Sequence, residues 1–481
     1  MNASKVSTLL IAAVSSALLA GCAVGPDFKR PDAPQADRYT QETTAPDNGN
    51  DANAQHVVLG DGLVPDWWRL FQSDALDALV RRALAGNRNL AAASWSLAQA
   101  QELTNARAGT LAPQVGVTGG VGRQKYGAQF LGPLPKPPPF SYYSIGATVS
   151  YAFDYTGGMA RSVEQQRALA EYQQHQLAAA ELAVTGNAVM QALRIASLQM
   201  QIRTIDALLD RDRENLKLVQ VAFDAGSVSR LDVVSAQSQL AGDQTLLPSL
   251  RQELSKARHA LALIVGTAPA EGTLPEFDLA QIVLPKELPV TIPSELARRR
   301  PDILAAEAQL HAATAAVGVA EGNLYPRINL TATAGQQSIT AEQVFDRASN
   351  VWSLAAGLVA PIFDGGTLRA EKRAAIDGMR SSAANYEQTV LQAFGQVADS
   401  LEALDHGAEE LQAQARAQEA ARDTVELTRQ SYNEGNVNVL QVLDAERRYQ
   451  QAQLGYVRAQ AQRYMDTVQL FLALGGGGPS A

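Results

Sequence analysis

Apolar residues along this chain recur with two different periods, and the change from one to the other is written twice in the same order. From Asn87 to about Leu111 they fall at three- and four-residue spacing, which predicts a helix that Pro113 ends. Beyond it the period becomes two: Val115, Val117 and Val121 alternate with Gly116, Thr118, Gly120 and Gly122. After a proline-rich loop, Tyr143, Ile145, Ala147, Val149, Tyr151 and Phe153 alternate with small or polar partners. The alternation returns at Ile328, Leu330, Ala332 and Ala334, and again from Trp352 through Leu354, Ala356 and Leu358 to Ile362. The pattern predicts four strands, at about 114–126, 142–154, 326–337 and 351–362. Each has one apolar and one small or polar face and is long enough to cross a membrane. Aromatics gather near their ends, with Tyr126, Phe130, Phe140, Tyr142 and Trp352 on the loop side and Phe153, Tyr155, Tyr325 and Phe363 on the other, as interfacial girdles do.

Between the strand pairs the helical period is long and clean. From Met159 to Phe223 there is no proline and one glycine, Gly186, so a single helix would extend on the order of 95 Å. Its lower part carries a seam of Leu198, Ile202, Ile205, Leu209, Leu216, Val219 and Phe223, with one slot taken by Asp212. A return seam runs Leu240, Leu247, Leu250, Leu254, Ala257, Leu261 and Ile264, so the pair is expected to supercoil as an antiparallel coiled coil. The second half has a matching but less apolar pair, Val425, Thr428 and Tyr432 against Leu454, Val457, Ala461, Tyr464, Val468 and Phe471, which suits a more wetted surface. The turns joining these helices, at 223–233 and 432–442, share an aromatic, a glycine three residues on and a valine after it. Gly226 and Gly435 are therefore expected as C-caps of two hairpin tips.

Gly226 and Gly435 are 209 residues apart, Pro113 and Pro326 are 213 apart, and Gly157 and Gly365 are 208 apart. Three anchors in one order at nearly one offset indicate a tandem duplication and one pseudo-symmetric fold. The first repeat is expected over 66–294, including an equatorial connector at 266–294, the second over 295–474, and a flexible tail at 475–481. At the head of the second, within Arg298-Arg299-Arg300-Pro301-Asp302, Asp302 is placed to cap a helix starting at Ile303, and Glu307 to pair with an arginine.

The N-terminus changes the picture. Lys5, the apolar run Val6 to Leu19 and Leu19-Ala20-Gly21-Cys22 read as a signal peptide over 1–21 ending in a lipobox, with Cys22 lipidated and a loosely packed leader over 22–65. Ala23 rather than Asp after the cysteine favours the outer membrane. An ordinary signal peptide with an incidental Cys22 is the alternative. As Cys22 is the only cysteine, no intramolecular disulfide forms, and the covalent lipid is the only cofactor expected. A formal charge of −9 without a basic stripe argues against nucleic acid as a partner. The five histidines are scattered, and Gly119-Gly120-Val121-Gly122-Arg123 lacks the Lys-Ser/Thr ending of a phosphate loop, so neither a metal site nor an enzyme is expected.

No stretch after the signal is expected to reach the roughly 20 apolar residues a membrane helix needs, so any crossing falls to the strands. Four strands cannot close a barrel, and open edges in lipid are not tolerated, so copies must associate. Two copies supply eight strands and three supply twelve. Helices continuing from those strands would form a conduit through the outer membrane and the periplasm, with the two turns at its far mouth. The rival is a periplasmic structural coiled-coil lipoprotein, which leaves the four alternating strands unexplained.

Nearly the whole chain resembles the TolC-like outer membrane factors, specifically the NodT/OprM lipoprotein branch. The resemblance is carried by Gly21-Cys22-Ala23-Val24-Gly25-Pro26-Asp27-Phe28 with Pro31, by Trp67-Trp68, by Asn87 with Leu90, and by Arg299-Arg300-Pro301-Asp302-Ile303 with Ala306-Glu307. Pro361-Ile362-Phe363-Asp364-Gly365-Gly366 and the two turns complete it. It implies a homotrimer in outer membrane lipid, with a 12-stranded β-barrel continued by a long periplasmic α-helical barrel. It also implies a role as exit duct of a tripartite efflux pump, with a periplasmic adaptor and an inner-membrane transporter of the RND type. Leu440, Asp444 and Arg447 stand where the family places the apolar ring, acidic ring and arginine of a periplasmic gate, and their spacing keeps them on one helix face. Gln441 replaces a second acidic position. The resemblance places adaptor docking around Gly226, Val228, Arg230, Asp232, Gly435 and Val437, with Arg230 and Asp232 also able to tether neighbouring hairpins. Cargo is not specified.

Overall fold

The computed structural model describes residues 23–32, 36, 38–40, 55–60, 62–125, 138–271 and 275–477. In chain order these form β1 (His56–Leu59), α1 (Asp74–Gly86), α2 (Arg88–Gly109), β2 (Gln114–Gln124), β3 (Phe140–Phe153), α3 (Gly158–Asp224), α4 (Arg230–Gln244) and α5 (Leu246–Ile264). Then follow β4 (Glu287–Val290), α6 (Pro293–Arg299), α7 (Pro301–Gly322), β5 (Arg327–Ser338), β6 (Asn350–Val359), α8 (Thr367–Asn433) and α9 (Val439–Ala473). The duplication is visible in element lengths. Helices α3 and α8 both have 67 residues and start 209 positions apart, while α2 and α7 both have 22 and start 213 apart. The chain divides into two compact units, the first comprising 1–31, 96–173 and 305–386, the second 32–95, 174–304 and 387–481.

In the first unit β2, β3, β5 and β6 form one antiparallel sheet in that order. Register explains its two faces. Val115, Val149, Ala332 and Leu354 stand in one row across the four strands, and Val117, Ala147, Ala334 and Trp352 in another. On the opposite face Gly116, Thr148, Thr333 and Ser353 form a row, with Thr333 and Ser353 hydrogen-bonded through their hydroxyls at 2.6 Å. Both edge strands leave their apolar side chains bare: Val115, Val117 and Val121 on β2, and Trp352, Leu354 and Leu358 on β6. Strand β6 itself ends at Val359, short of Ile362, and Ile362 and Phe363 are exposed. Pro361, without an N–H, cannot continue a ladder. Tyr126 and Phe130 lie outside the described residues.

Residues 23–31 belong to this unit and are more than a loose leader. Val24 N–H donates to Thr156 O at 2.9 Å, Asp27 pairs with Arg161, and the Phe28 ring stacks on His311 with centroids 4.4 Å apart. Arg30 reaches Glu307 at 2.8 Å, so the partner of Glu307 comes from the leader and not from the 298–300 run. One expectation about composition fails in α7: it is long and apolar enough to cross a membrane, yet half of its apolar window is buried. Ala305, Ala308, Ala312, Ala315 and Val317 face protein, so its hydropathy reflects burial against other elements.

The second unit has its core where the N-terminal segment meets the end of α9. Trp67, Phe71 and Phe471 are essentially fully buried, and the Trp67 and Phe471 rings lie 5.6 Å apart. The Trp68 indole N–H donates to Asp77, which holds that carboxyl below the usual range. Ser73 caps α1, and Asn87 accepts from Leu90 N–H while donating to Ile264 O at 2.8 Å, fixing the α1–α2 bend to the end of α5. Strand β1 of the leader pairs in parallel with β4 of the connector, a contact that alternation in so short a segment could not announce. Replacing Trp67 by alanine removes the largest buried side chain here and is expected to cost about 3–5 kcal/mol. Earlier loss of helical signal on heating the purified protein would register it.

Three local readings are corrected in this unit. Helix α7 begins at Pro301, so Asp302 sits inside its first turn, accepting from Ile303 N–H at 2.9 Å and from Arg300. Arg300 itself is buried, donating to Ala473 O at 2.8 Å, while Arg298 and Arg299 face solvent. The return arm of the first hairpin is broken into α4 and α5, because the ring of Pro248 cannot follow the carbonyl of Gln244 in a continuous helix. The tail expected to be loose from 475 starts packed: Gly475 lies over Arg300, and Gly476 against Leu182 and Trp67.

Candidate functional site

The two hairpin tips lie in the second unit and are the same turn made twice. At the first, Gly226 takes φ +74°, its N–H donates to Phe223 O, and Ser227 N–H donates to Ala222 O. At the second, Gly435 takes φ +78°, its N–H donates to Tyr432 O, and Asn436 N–H donates to Ser431 O. Both glycines therefore occupy the left-handed position that lets a helix end in a reversed turn. The following helices are capped in the same register, α4 by Ser229 and α9 by Asn438, whose side-chain oxygen accepts from Gln441 N–H at 3.1 Å.

The tip residues divide into those turned inward and those left outward. Val228 packs with Leu216, Phe223 and Leu443 around buried Val219, Val233, Ala236 and Val439, which joins the two tips through a shared apolar cluster. Asp232 closes a capping box: its carboxylate accepts from Ser229 N–H at 2.8 Å and from the Ser229 hydroxyl, and this holds it below the usual carboxylate range. Both of these bonds go to one oxygen, Oδ2. Arg230 faces solvent, Gly226 and Gly435 have open space above them, and Val437 is half-buried.

Leu440, Asp444 and Arg447 follow the second tip on α9. Asp444 is bridged twice, by Arg447 one turn on and by Arg448 at 2.8 Å. The hydrogen bond from Arg447, with the charge of Arg448 behind it, holds the Asp444 carboxyl below the usual range. A depressed value means that the bridges stand at neutral pH and are lost only as pH falls through it. Leu440, Asp444 and Arg448 line one groove together with Leu427 and Ser431 of α8, whereas Arg447 lines another with Val234, Asp243 and Leu454. Arg448 was not singled out from the sequence, although its i, i+4 spacing from Asp444 is the signal that finds it.

Behind this face lies an ion pair with a buried carboxylate and an exposed arginine, which no spacing reveals. Glu446 is 4% exposed; Arg429 of α8 donates to it from Nε at 3.0 Å, and Asn215 of α3 donates to its other oxygen. Three helices thus meet on one carboxylate. Among the described residues there is no group of three His, Cys, Asp or Glu that could hold a metal ion. Cys22 lies outside the described residues.

Comparison with known proteins agrees with this architecture. A family model described as outer membrane efflux protein matches residues 79–267 and 292–476, one segment per repeat. The pyoverdine export outer membrane protein OpmQ of Pseudomonas aeruginosa is 31% identical over 445 residues, covering 90% of this chain and 93% of that protein. The toluene efflux pump outer membrane protein TtgF of Pseudomonas putida is 31% identical over 480 residues, 96% of this chain and 95% of its own. The solved outer-membrane channel OprN superposes with a TM-score of 0.85 at 29% identity, over 95% of this chain and 99% of that one. With the duplicated hairpins, the two-faced sheet and the capped tips in place, the chain belongs to the outer membrane efflux protein family.

Proposed function

We propose that the protein is the passive exit duct of a tripartite efflux system, assembled as a homotrimer whose sheets close a 12-stranded barrel in the outer membrane. The observation that carries this reading is the sheet with two unpaired edges, β2 and β6, bearing bare apolar rows on one face and small or polar rows on the other. An open edge in lipid leaves backbone groups without partners, and pairing β6 of one copy with β2 of the next removes every edge. The apolar rows then meet lipid and the small polar rows line water. Helix α2 supports association in the same way, since none of its residues is buried and Trp95 and Leu103 stand exposed for a neighbouring copy.

In this reading Leu440 and Asp444, with Arg447 and Arg448, form the periplasmic gate, where three Leu440 side chains narrow the lumen. The residues around Gly226, Val228, Arg230, Asp232, Gly435 and Val437 meet a periplasmic adaptor, which couples the duct to an inner-membrane transporter of the RND type. Cys22 carries the lipid anchor. The pyoverdine and toluene named for two relatives make small organic molecules the cargo class to test first.

Electron microscopy with mass determination of the detergent-solubilised full chain tests the assembly. A threefold particle with a hollow helical tube of three protein masses is expected. A monomer, or a rod without a lumen, would overturn the duct in favour of a structural lipoprotein.

A further inference from the structure

The two hairpins of one chain are built to one plan. Helix α3 starts at 158 and α8 at 367, α4 starts at 230 and α9 at 439, and α5 ends at 264 and α9 at 473, so each position on the first hairpin has its counterpart 209 residues on. Within the chain the hairpins meet through unlike flanks. The second offers Val439, Leu443 and Glu446 of α9. The first receives them around Val219 and Phe223 of α3, where the valine and leucine join one apolar cluster and Asn215 donates to Glu446.

Moved to its counterparts, the offering flank is Arg230, Val234 and Gln237 on α4, and the receiving flank is Thr424, Thr428 and Tyr432 on α8. Neither is used inside the chain. Arg230, Val234 and Gln237 are exposed, as are Thr424 and Tyr432, and Thr428 is half-buried. Thr424 and Thr428 line the open groove that Leu427 and Ser431 also line. Each hairpin therefore carries both halves of one joint, and a single chain closes that joint once.

We infer that a second copy of this chain closes it again: Val234 and Gln237 of one copy, with Arg230, seat on Thr424, Thr428 and Tyr432 of the next. The inference rests on the homotrimer proposed above and names the surface by which its helical hairpins meet. Unlike flanks make a heterologous contact, which leads round a ring instead of ending in a pair. Three copies supply six hairpins, and in such a ring every flank is used.

The two joints differ in chemistry. Inside the chain Glu446 pairs with Arg429, whereas their counterparts are the neutral Gln237 and Gln220. The Thr424 hydroxyl donates to Ala420 O at 2.7 Å, which leaves its oxygen to accept from the Gln237 amide. Arg230 stands where the chain buries Val439, so its aliphatic stem covers the threonines while its guanidinium stays in water. The joint between copies is thus the more polar one, and it lacks the ion pair of the joint within each copy.

Cysteine pairs in the full-length protein test this, since the sequence has one other cysteine, Cys22. Gln237→Cys with Thr424→Cys, and separately Val234→Cys with Thr428→Cys, are oxidised with copper phenanthroline in isolated outer membranes, boiled, and run on denaturing gels without reductant. Bands of two and three chain masses are expected from the double variants and absent from each single variant, and dithiothreitol should clear them. Such bands from either pair support the joint. Equally strong bands from the single variants would mean that like flanks meet, and would overturn it. Electron microscopy of the same proteins separates the two claims. Threefold particles whose double variants both stay at one chain mass would sink the joint and leave the duct standing, whereas particles of a single chain would overturn both.

Discussion

Asp444→Ala is expected to raise the conductance of the purified protein in planar bilayers and to sensitise cells that depend on it to large antibiotics such as vancomycin. Both bridges lie within α9, so the magnitude that follows is the one expected if opening breaks them. Ion pairs as exposed as those to Arg447 and Arg448 contribute about 0.2–1 kcal/mol each, so the carboxylate secures about 0.4–2 kcal/mol per chain. Over three copies in the proposed trimer this is roughly 1–6 kcal/mol, whereas about 5.5 kcal/mol carries a two-state equilibrium from 1:99 to 99:1. The change therefore ranges from a modest to a nearly complete shift toward the open state. Arg447→Ala and Arg448→Ala should each have a smaller effect, because either arginine keeps Asp444 paired, and the double variant should approach Asp444→Ala. Unchanged conductance in Asp444→Ala and in the double variant would place the constriction elsewhere.

Gly335→Val is expected to abolish assembled, heat-resistant oligomers, while Gly116→Val on the same face of the same sheet should leave them intact. A side chain at Gly335 would meet Ile145 O at 2.4 Å and Gly146 Cα at 2.7 Å, both backbone atoms of the facing strand. The Gly146–Gly335 pair is a point where β3 and β5 approach closely because neither residue has a Cβ. Overpacking costs about 1–3 kcal/mol when side chains can shift, and here backbone would have to, so at least the upper end applies. At Gly116 nothing lies within 4 Å of the added atom. Semi-native electrophoresis of membranes from both variants makes the comparison. Equal oligomer yields would show that the sheet absorbs the strain.

Much of this protein is contiguous information. The alternation at Val115, Val117 and Val121 and its repeat at Trp352, Leu354 and Leu358 mark two-faced strands, because side-chain direction in a strand depends on immediate neighbours alone. Gly226 and Gly435 announce identical turns for the same reason, since a left-handed C-cap is decided within one helical turn. The duplication offsets near 209 and 213 carry over into helix starts at those spacings. Asp444 with Arg447 was legible, and Arg448 was within reach of the same reasoning.

Other features depend on partners that only folding brings together. Asp232 caps its own helix because its carboxylate finds Ser229 three residues back, a use of the group that composition alone does not single out. Glu307 meets Arg30 across 277 residues, and Glu446 meets Arg429 and Asn215 on two other helices. The parallel pairing of His56–Leu59 with Glu287–Val290 joins segments too short to show a period. Asp212 is the clearest case. In the sequence it is one polar residue interrupting a heptad seam, and only the packed helices leave it 4% exposed, with burial first among the causes that push its carboxyl up to about 7. Periodicity and capping are local and survive in one dimension, whereas the ionisation of a buried group is set by what surrounds it, which exists only once the helices are packed.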